Sequence, residues 1–239
     1  MVPRRFPLLL FTAFVLALLY APLILLSISS FQGGPSFFHW YKRAFSDPNL
    51  VASLENSVII GFGTTTISTF LGTLTALGLR KNRFFGRIFF ESVLNLPLVL
   101  PEIVMGIALL VWFVFLKISL GLFSVVLAHT TFTVSYVALI VIARLKGLDP
   151  LLEEAAADLG ATPLKTFFKV TFPLILPAVV SGGLLSFTLS FDDFLITFFT
   201  AGVGSDTLPV RIYSMMRFGI TPEMNAISTA VLFFTLVAV

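Results

Sequence analysis

The stretch GLDPLLEEAAADLGATPLKTFFKVTFPLILP, residues 147–177, separates two long apolar runs and reads as two short helices joined by a turn. Asp149 ahead of Pro150 supplies an N-cap and a first-turn proline. Leu152, Ala155, Ala156 and Leu159 recur at i, i+3, i+4 and i+7, which makes one helical face apolar. Glu153, Glu154 and Asp158 lie on or beside the other face. Gly160 falls where the helix must end in a left-handed residue. Thr162 and Pro163 then repeat the cap-and-proline start, and Pro173 and Pro177 mark the approach to the next apolar run. A short capped helix of this kind, pinned beneath a bundle, suits being gripped by a soluble partner. The competing reading is a loop helix lying on the bilayer surface, but such helices usually present Lys and Arg to anionic lipid, and this one is acidic.

Outward from the loop the chain is built for a bilayer. Of its 239 residues 57% are hydrophobic and 11% charged, against about 25% charged in a soluble domain. Residues 93–116 and 119–143 hold almost no charge, and about 20 apolar residues of helix cross the hydrocarbon core. The expected fold class is therefore all-α, a polytopic membrane helix bundle of about six spans, at roughly 7–28, 56–79, 89–115, 120–144, 174–199 and 223–239. The first run follows Arg4 and Arg5, is longer than a signal-peptide core, and has no small-x-small site before Phe31, so it reads as a retained helix. The last opens well, with Thr221 as cap, Pro222 in the first turn and Glu223 at the positive end. It stops at Val239, short of a full span, and reads as cut there.

With the N-terminus placed in the cytoplasm, the inside segments hold Arg4, Arg5, Arg80, Lys81, Arg83, Arg87, Arg144, Lys146, Lys165 and Lys169. The outside segments hold only Lys42, Arg43, Lys117, Arg211 and Arg217. This asymmetry predicts both termini on the cytoplasmic side. It also explains the net charge of +3 without nucleic acid, because the basic residues cap apolar runs. The second span is crowded with small residues (Gly61, Gly63, Gly72, Gly78 and many Thr), which let helix backbones approach in lipid. That composition places it centrally. Trp40 and Tyr41 beside Lys42 and Arg43 read as interface anchors.

The chain offers little for catalysis. No G-x-x-x-x-G-K-[ST] phosphate loop, H-E-x-x-H pair or nucleophile motif occurs, and cysteine is absent. His39 and His129 are too few and too far apart for a metal site, and His129, inside a span, reads as a hydrogen-bonded packing residue. Ionisable groups within spans are costly and functional by default. Glu102 is expected roughly 20 Å up the third helix from Phe89, with Pro97 and Pro101 flanking a stretch where a break frees carbonyls toward a pathway. Asp192 and Asp193 fall in the outer half of the fifth span. These three acids are pathway candidates that attract a cationic solute, or else pair internally with Arg or hydroxyl groups or serve as gating contacts. Neighbours on a helix project about 100° apart, so one aspartate at most is expected to face a lumen.

The pattern Glu154-Ala155-Ala156, three residues, Gly160, nine residues, then Val170-x-Phe172-Pro173 resembles the EAA loop of bacterial ABC importer permeases. The family form is E-A-A-x3-G-x9-I-x-L-P, so Val170 and Phe172 are apolar replacements. Trp40-Tyr41, Phe45-Ser46-Asp47-Pro48, Leu100-Pro101-Glu102-Ile103, Ser190-Phe191-Asp192-Asp193-Phe194 and the run from Leu208 to Met215 resemble the polyamine-type members. The resemblance implies a type I ABC importer permease (MetI-like) fold, one permease domain over 1–239, and 147–177 as its cytoplasmic coupling loop. It implies a multi-pass subunit of the bacterial inner membrane that moves a small organic solute and is not itself an enzyme. A polyamine is the best-matched solute, and a phosphonate or amino-acid-like compound the alternative. The implied partners are an ATPase subunit dimer carrying the ATP and Mg, a second homologous permease and an extracytoplasmic solute-binding protein. Glu153, Glu154, Ala155, Ala156, Asp158 and Gly160 are the implied ATPase-coupling residues. A rival class is the stand-alone secondary transporter or channel, of which the transporter often carries inverted repeats, and no repeat is apparent.

Overall fold

A computed structural model describes residues 6–81, 85–217, 219 and 221–238. Arg4, Arg5 and Arg83, which contribute to the charge asymmetry, lie outside them, as does Val239. The described residues contain helices and no strand. Contacts divide the chain into two compact units, one of Met1–Ala52 with Arg211–Val239 and one of Ser53–Val210. The boundaries fall inside two helices, α3 (Pro48–Lys81) and α11 (Leu208–Met216).

In the first unit, α1 (Phe6–Ser29) is apolar on every side, and none of its Leu8–Ser29 window is buried. A helix of that kind is stable in lipid and not in water. A connecting segment leads to α2 (His39–Ser46). It is pinned by Tyr41 Oη to Ser30 Oγ at 2.8 Å and by Trp40 Nε1 donating to the Gln32 carbonyl at 2.8 Å. Phe31 stacks on Phe37 beside them. In α12 (Pro222–Ala238), the Thr221 hydroxyl accepts from Met224 N at 3.3 Å as a cap. Glu223 in its first turn meets Arg43 at 3.2 Å.

The second unit holds the remaining elements: α4 (Arg87–Val99), α5 (Glu102–Phe115), α6 (Leu122–Lys146), α7 (Leu151–Asp158), α8 (Pro163–Thr166), α9 (Phe172–Asp192) and α10 (Leu195–Thr200). A π-helical turn, Phe167–Thr171, joins α8 to α9. Small residues let α3, α6 and α9 touch. A Cβ on Gly72 would stand 2.7 Å from the Val137 Cβ, and one on Gly183 would stand 2.9 Å from the Thr69 hydroxyl. Ala76, Val137, Val141, Leu145 and Ile175 fill the space between these helices. A second core of Met105, Phe113, Ala128, Phe132 and Ile196 joins α5, α6 and α10. The span at the centre is nevertheless α6, 56% buried in its apolar window against 33% for α3. The small residues of α3 mark a close contact with that centre.

Four helices among the described residues are long and apolar enough to cross a membrane, and five if α4 and α5 count as one bent span. The expected sixth, α12, has 17 residues, fewer than the about 20 that a crossing takes. Two spans are broken, the third at the proline-flanked stretch and the fifth where no break was expected. The third turns by 114° between Val99 and Glu102. Leu100 is extended (φ −70°, ψ 136°) because Pro101 follows it and pushes it out of the helical region. Glu102 therefore does not sit up a straight third helix but opens a second one. The fifth breaks at Asp193, also extended (φ −66°, ψ 128°), before α10 begins.

Candidate functional site

Two regions bring chemistry-bearing residues together, both in the second unit. The first is the 147–177 loop. Asp149 Oδ1 accepts from Leu151 N at 3.0 Å and starts α7, and Gly160 stops it at φ +77°. Nothing lies within 4 Å of where a Gly160 Cβ would be, so the left-handed backbone, not crowding, calls for glycine there. Thr162 caps α8 from its hydroxyl, accepting from Lys165 N at 3.4 Å. The π-helical turn that follows carried no signal in the apolar pattern.

None of the α7 residues is buried. Its apolar face is largely uncovered, with Leu152 45% and Leu159 90% exposed and Ala155 exposed beside them, while Ala156 is half-buried. Glu154 and Asp158 are exposed as well. Glu153 is the exception among the three acids. It points into the chain, where its Oε1 accepts from Arg80 at the end of α3 at 2.7 Å and from the Thr171 hydroxyl in the π-helical turn. A cavity of about 310 Å³ lies at this junction, lined by Leu77, Arg80, Glu153, Ala157, Phe167 and Thr171 among others.

The second region lies where the two breaks meet. A cavity of about 270 Å³ is lined by Glu102, Asp192 and Asp193 with Phe132, Tyr136 and Phe194. All three pathway candidates thus border one space, and of the two aspartates only Asp192 is exposed there, as the helical spacing suggested.

The acids then divide by role. Asp193 is buried, and its Oδ2 accepts from Thr197 N at 2.8 Å and from the Thr197 hydroxyl at 2.9 Å. The same oxygen stands 3.1 Å from His129 Nε2, while His129 Nδ1 meets Ser190 Oγ at 2.7 Å. His129 is fully buried, so it is the bonded packing residue its position suggested. Its partnership with Asp193 was not legible, because 64 residues separate them. Asp193 accordingly follows the internal-pairing alternative and holds α10 in place. Glu102 and Asp192 are exposed to the cavity side, and neither has a hydrogen-bond donor or cation partner among the described residues.

A bundle of apolar helices with an exposed amphipathic loop helix and a carboxylate-lined break in its spans is the membrane component of a transporter. The chain belongs to the binding-protein-dependent transport system inner membrane component family, whose model matches residues 68–239. As such it is an inner-membrane permease subunit of an ABC importer, a transport component and not an enzyme. It is 41% identical over 232 residues to the spermidine/putrescine transport system permease protein PotC of Haemophilus influenzae, covering 94% of this chain and 90% of the relative. It is 40% identical over 228 residues to the putrescine transport system permease protein PotI of Escherichia coli K12, covering 90% and 81%. Among solved structures, a chain of a bacterial ABC transporter involved in alginate import superposes with a TM-score of 0.74 at 14% identity. That match covers 98% of this chain and 92% of the other, and it establishes the shared fold.

Proposed function

We propose that this permease passes a small organic cation, a polyamine such as spermidine or putrescine, across the inner membrane. The observation that carries the reading is the pair of unpartnered carboxylates, Glu102 and Asp192, on a cavity walled by Phe132, Tyr136 and Phe194. A flexible chain of methylenes between ammonium groups matches that surface. Carboxylates take the charge, and aromatic faces take both cations and apolar stem. The names of the relatives point to the same class of solute.

The driving step falls to partners. An ATPase subunit dimer holding ATP and Mg docks on the exposed face of α7 through Leu152, Ala155, Ala156, Glu154 and Asp158, with Gly160 setting the turn beneath it. A second homologous permease completes the path, and an extracytoplasmic binding protein delivers the solute. The loop and both termini lie on the cytoplasmic side, and 1–239 acts as one permease domain. ATP binding shifts the permease between its two states only by binding one of them more tightly. The leading test is to identify the ligand held by the cognate binding protein and to follow its uptake into proteoliposomes containing the assembled complex. A polyamine ligand and ATP-dependent uptake support the reading. A neutral or anionic ligand refutes the solute class, and uptake without the ATPase refutes the mechanism.

A further inference from the structure

The coupling helix α7 is barely attached to the rest of the chain. It buries no residue, its apolar face looks outward, and a cavity of about 310 Å³ lies between it and the helices behind. Apolar packing therefore contributes little to holding it, Ala156 being its only half-buried apolar residue. Among the described residues, every hydrogen bond from an α7 side chain to another element runs through the Glu153 carboxylate. Two of its donors sit at strategic places. Arg80 closes the long helix α3, and Thr171 is the last residue of the π-helical turn that opens into α9. Arg80 and Glu153 are only 21% and 28% exposed, so the pair is sheltered from screening, and its hydrogen bond is charge-assisted. π-Turns inside helices mark places where a segment changes register, and they concentrate at functional sites.

We propose that Glu153 is the positioning residue that joins α7 to the membrane spans. Motion of α7 then reaches α3 through Arg80 and α9 through Thr171, by way of one carboxylate. The acid next to the E-A-A triplet thus faces its own chain, while Glu154 and Asp158 face the partner. This assignment rests on the docking of an ATPase at α7, and the two ideas separate by experiment.

The chain has no cysteine, so introduced pairs are unique labelling sites. Spin labels on Gly78→Cys and Asp158→Cys, in the full chain in lipid nanodiscs, report the α3–α7 distance by pulsed electron resonance. Gly78 is exposed with nothing within 4 Å of its Cβ, and Asp158 is exposed. With Glu153 present the distribution is narrow. In Glu153→Gln and Arg80→Gln it loses the narrow peak, and the charge exchange Arg80→Glu/Glu153→Arg restores it. A second label pair, at Gly78 and Leu184, reads the distance between α3 and α9, Leu184 being 62% exposed. When the ATPase subunits and ATP are added, this distance shifts, and in Glu153→Gln the shift falls roughly tenfold. A narrow peak that survives Glu153→Gln, or one the exchanged pair fails to restore, overturns the proposal. If ATP shifts nothing in the unmutated chain while the first pair behaves as described, the docking reading fails and the tie between α7 and the spans stands.

Discussion

Replacing Asp192 by Asn removes one negative charge from the cavity with almost no change in volume. An ammonium about 4 Å from a carboxylate gains about 4 kcal/mol at an effective dielectric near 20. Asp192 is exposed and its partner must shed water, so the net contribution is smaller, about 1–2 kcal/mol. Each 1.4 kcal/mol is a factor of about ten in affinity. Asp192→Asn should therefore raise half-saturation for radiolabelled putrescine roughly tenfold in proteoliposomes of the assembled complex. Glu102→Gln should do the same, and the double variant should come close to abolishing uptake at low solute. Tighter effects are expected for spermidine, with three ammonium groups, than for putrescine, with two. Membrane insertion should be unchanged, because neither carboxylate is bonded among the described residues. Full uptake by the double variant at subsaturating putrescine would refute the assignment of this cavity to the pathway.

Gly160→Val forces a β-branched residue to φ +77°, at a cost of about 1–2 kcal/mol, and should reduce capture of the ATPase subunit in pull-downs while the chain still inserts. Leu159→Asp places a charge on the most exposed apolar position of the loop and should reduce the same capture without lowering thermal stability. Asp193→Ala removes the carboxylate that pairs with His129 and accepts from Thr197 N at the start of α10, a loss of about 1–3 kcal/mol that should appear as a lowered melting temperature in detergent. Gly72→Leu must push Val137 aside from a 2.7 Å approach, and overpacking of that kind costs about 1–3 kcal/mol, read as reduced yield of folded protein.

Much of this was legible in the residues. The apolar runs announced helices, and the cap-and-proline pairs at 149–150 and 162–163, with Gly160 between, set the boundaries of α7 and α8 closely. Such signals are local, which is why they survive without a partner chain. What was hidden depended on contacts between distant segments. Apolar composition alone cannot distinguish one long span from two short helices, so the break at Asp193 was missed, whereas Pro97 and Pro101 pointed to the one at Leu100. The division of the acids was hidden for the same reason. Asp192 and Asp193 are neighbours in sequence, yet one is tied to His129 from another span and the other is unpartnered. Glu153 and Glu154 part company likewise, because Arg80 comes from 73 residues away.

The breaks also bear on the sign of the solute. α5 begins at Glu102 and α10 just after Asp193, so two helix starts, each carrying partial positive charge, border the same cavity. Left bare, those ends would favour an anion. Here a carboxylate stands at each, and Asp192 adds negative charge beyond what the dipoles offset. A bundle with these bends thus holds a backbone potential of one sign and side chains of the other, and if the cavity is the proposed pathway, replacing its acids should weaken the preference for cations.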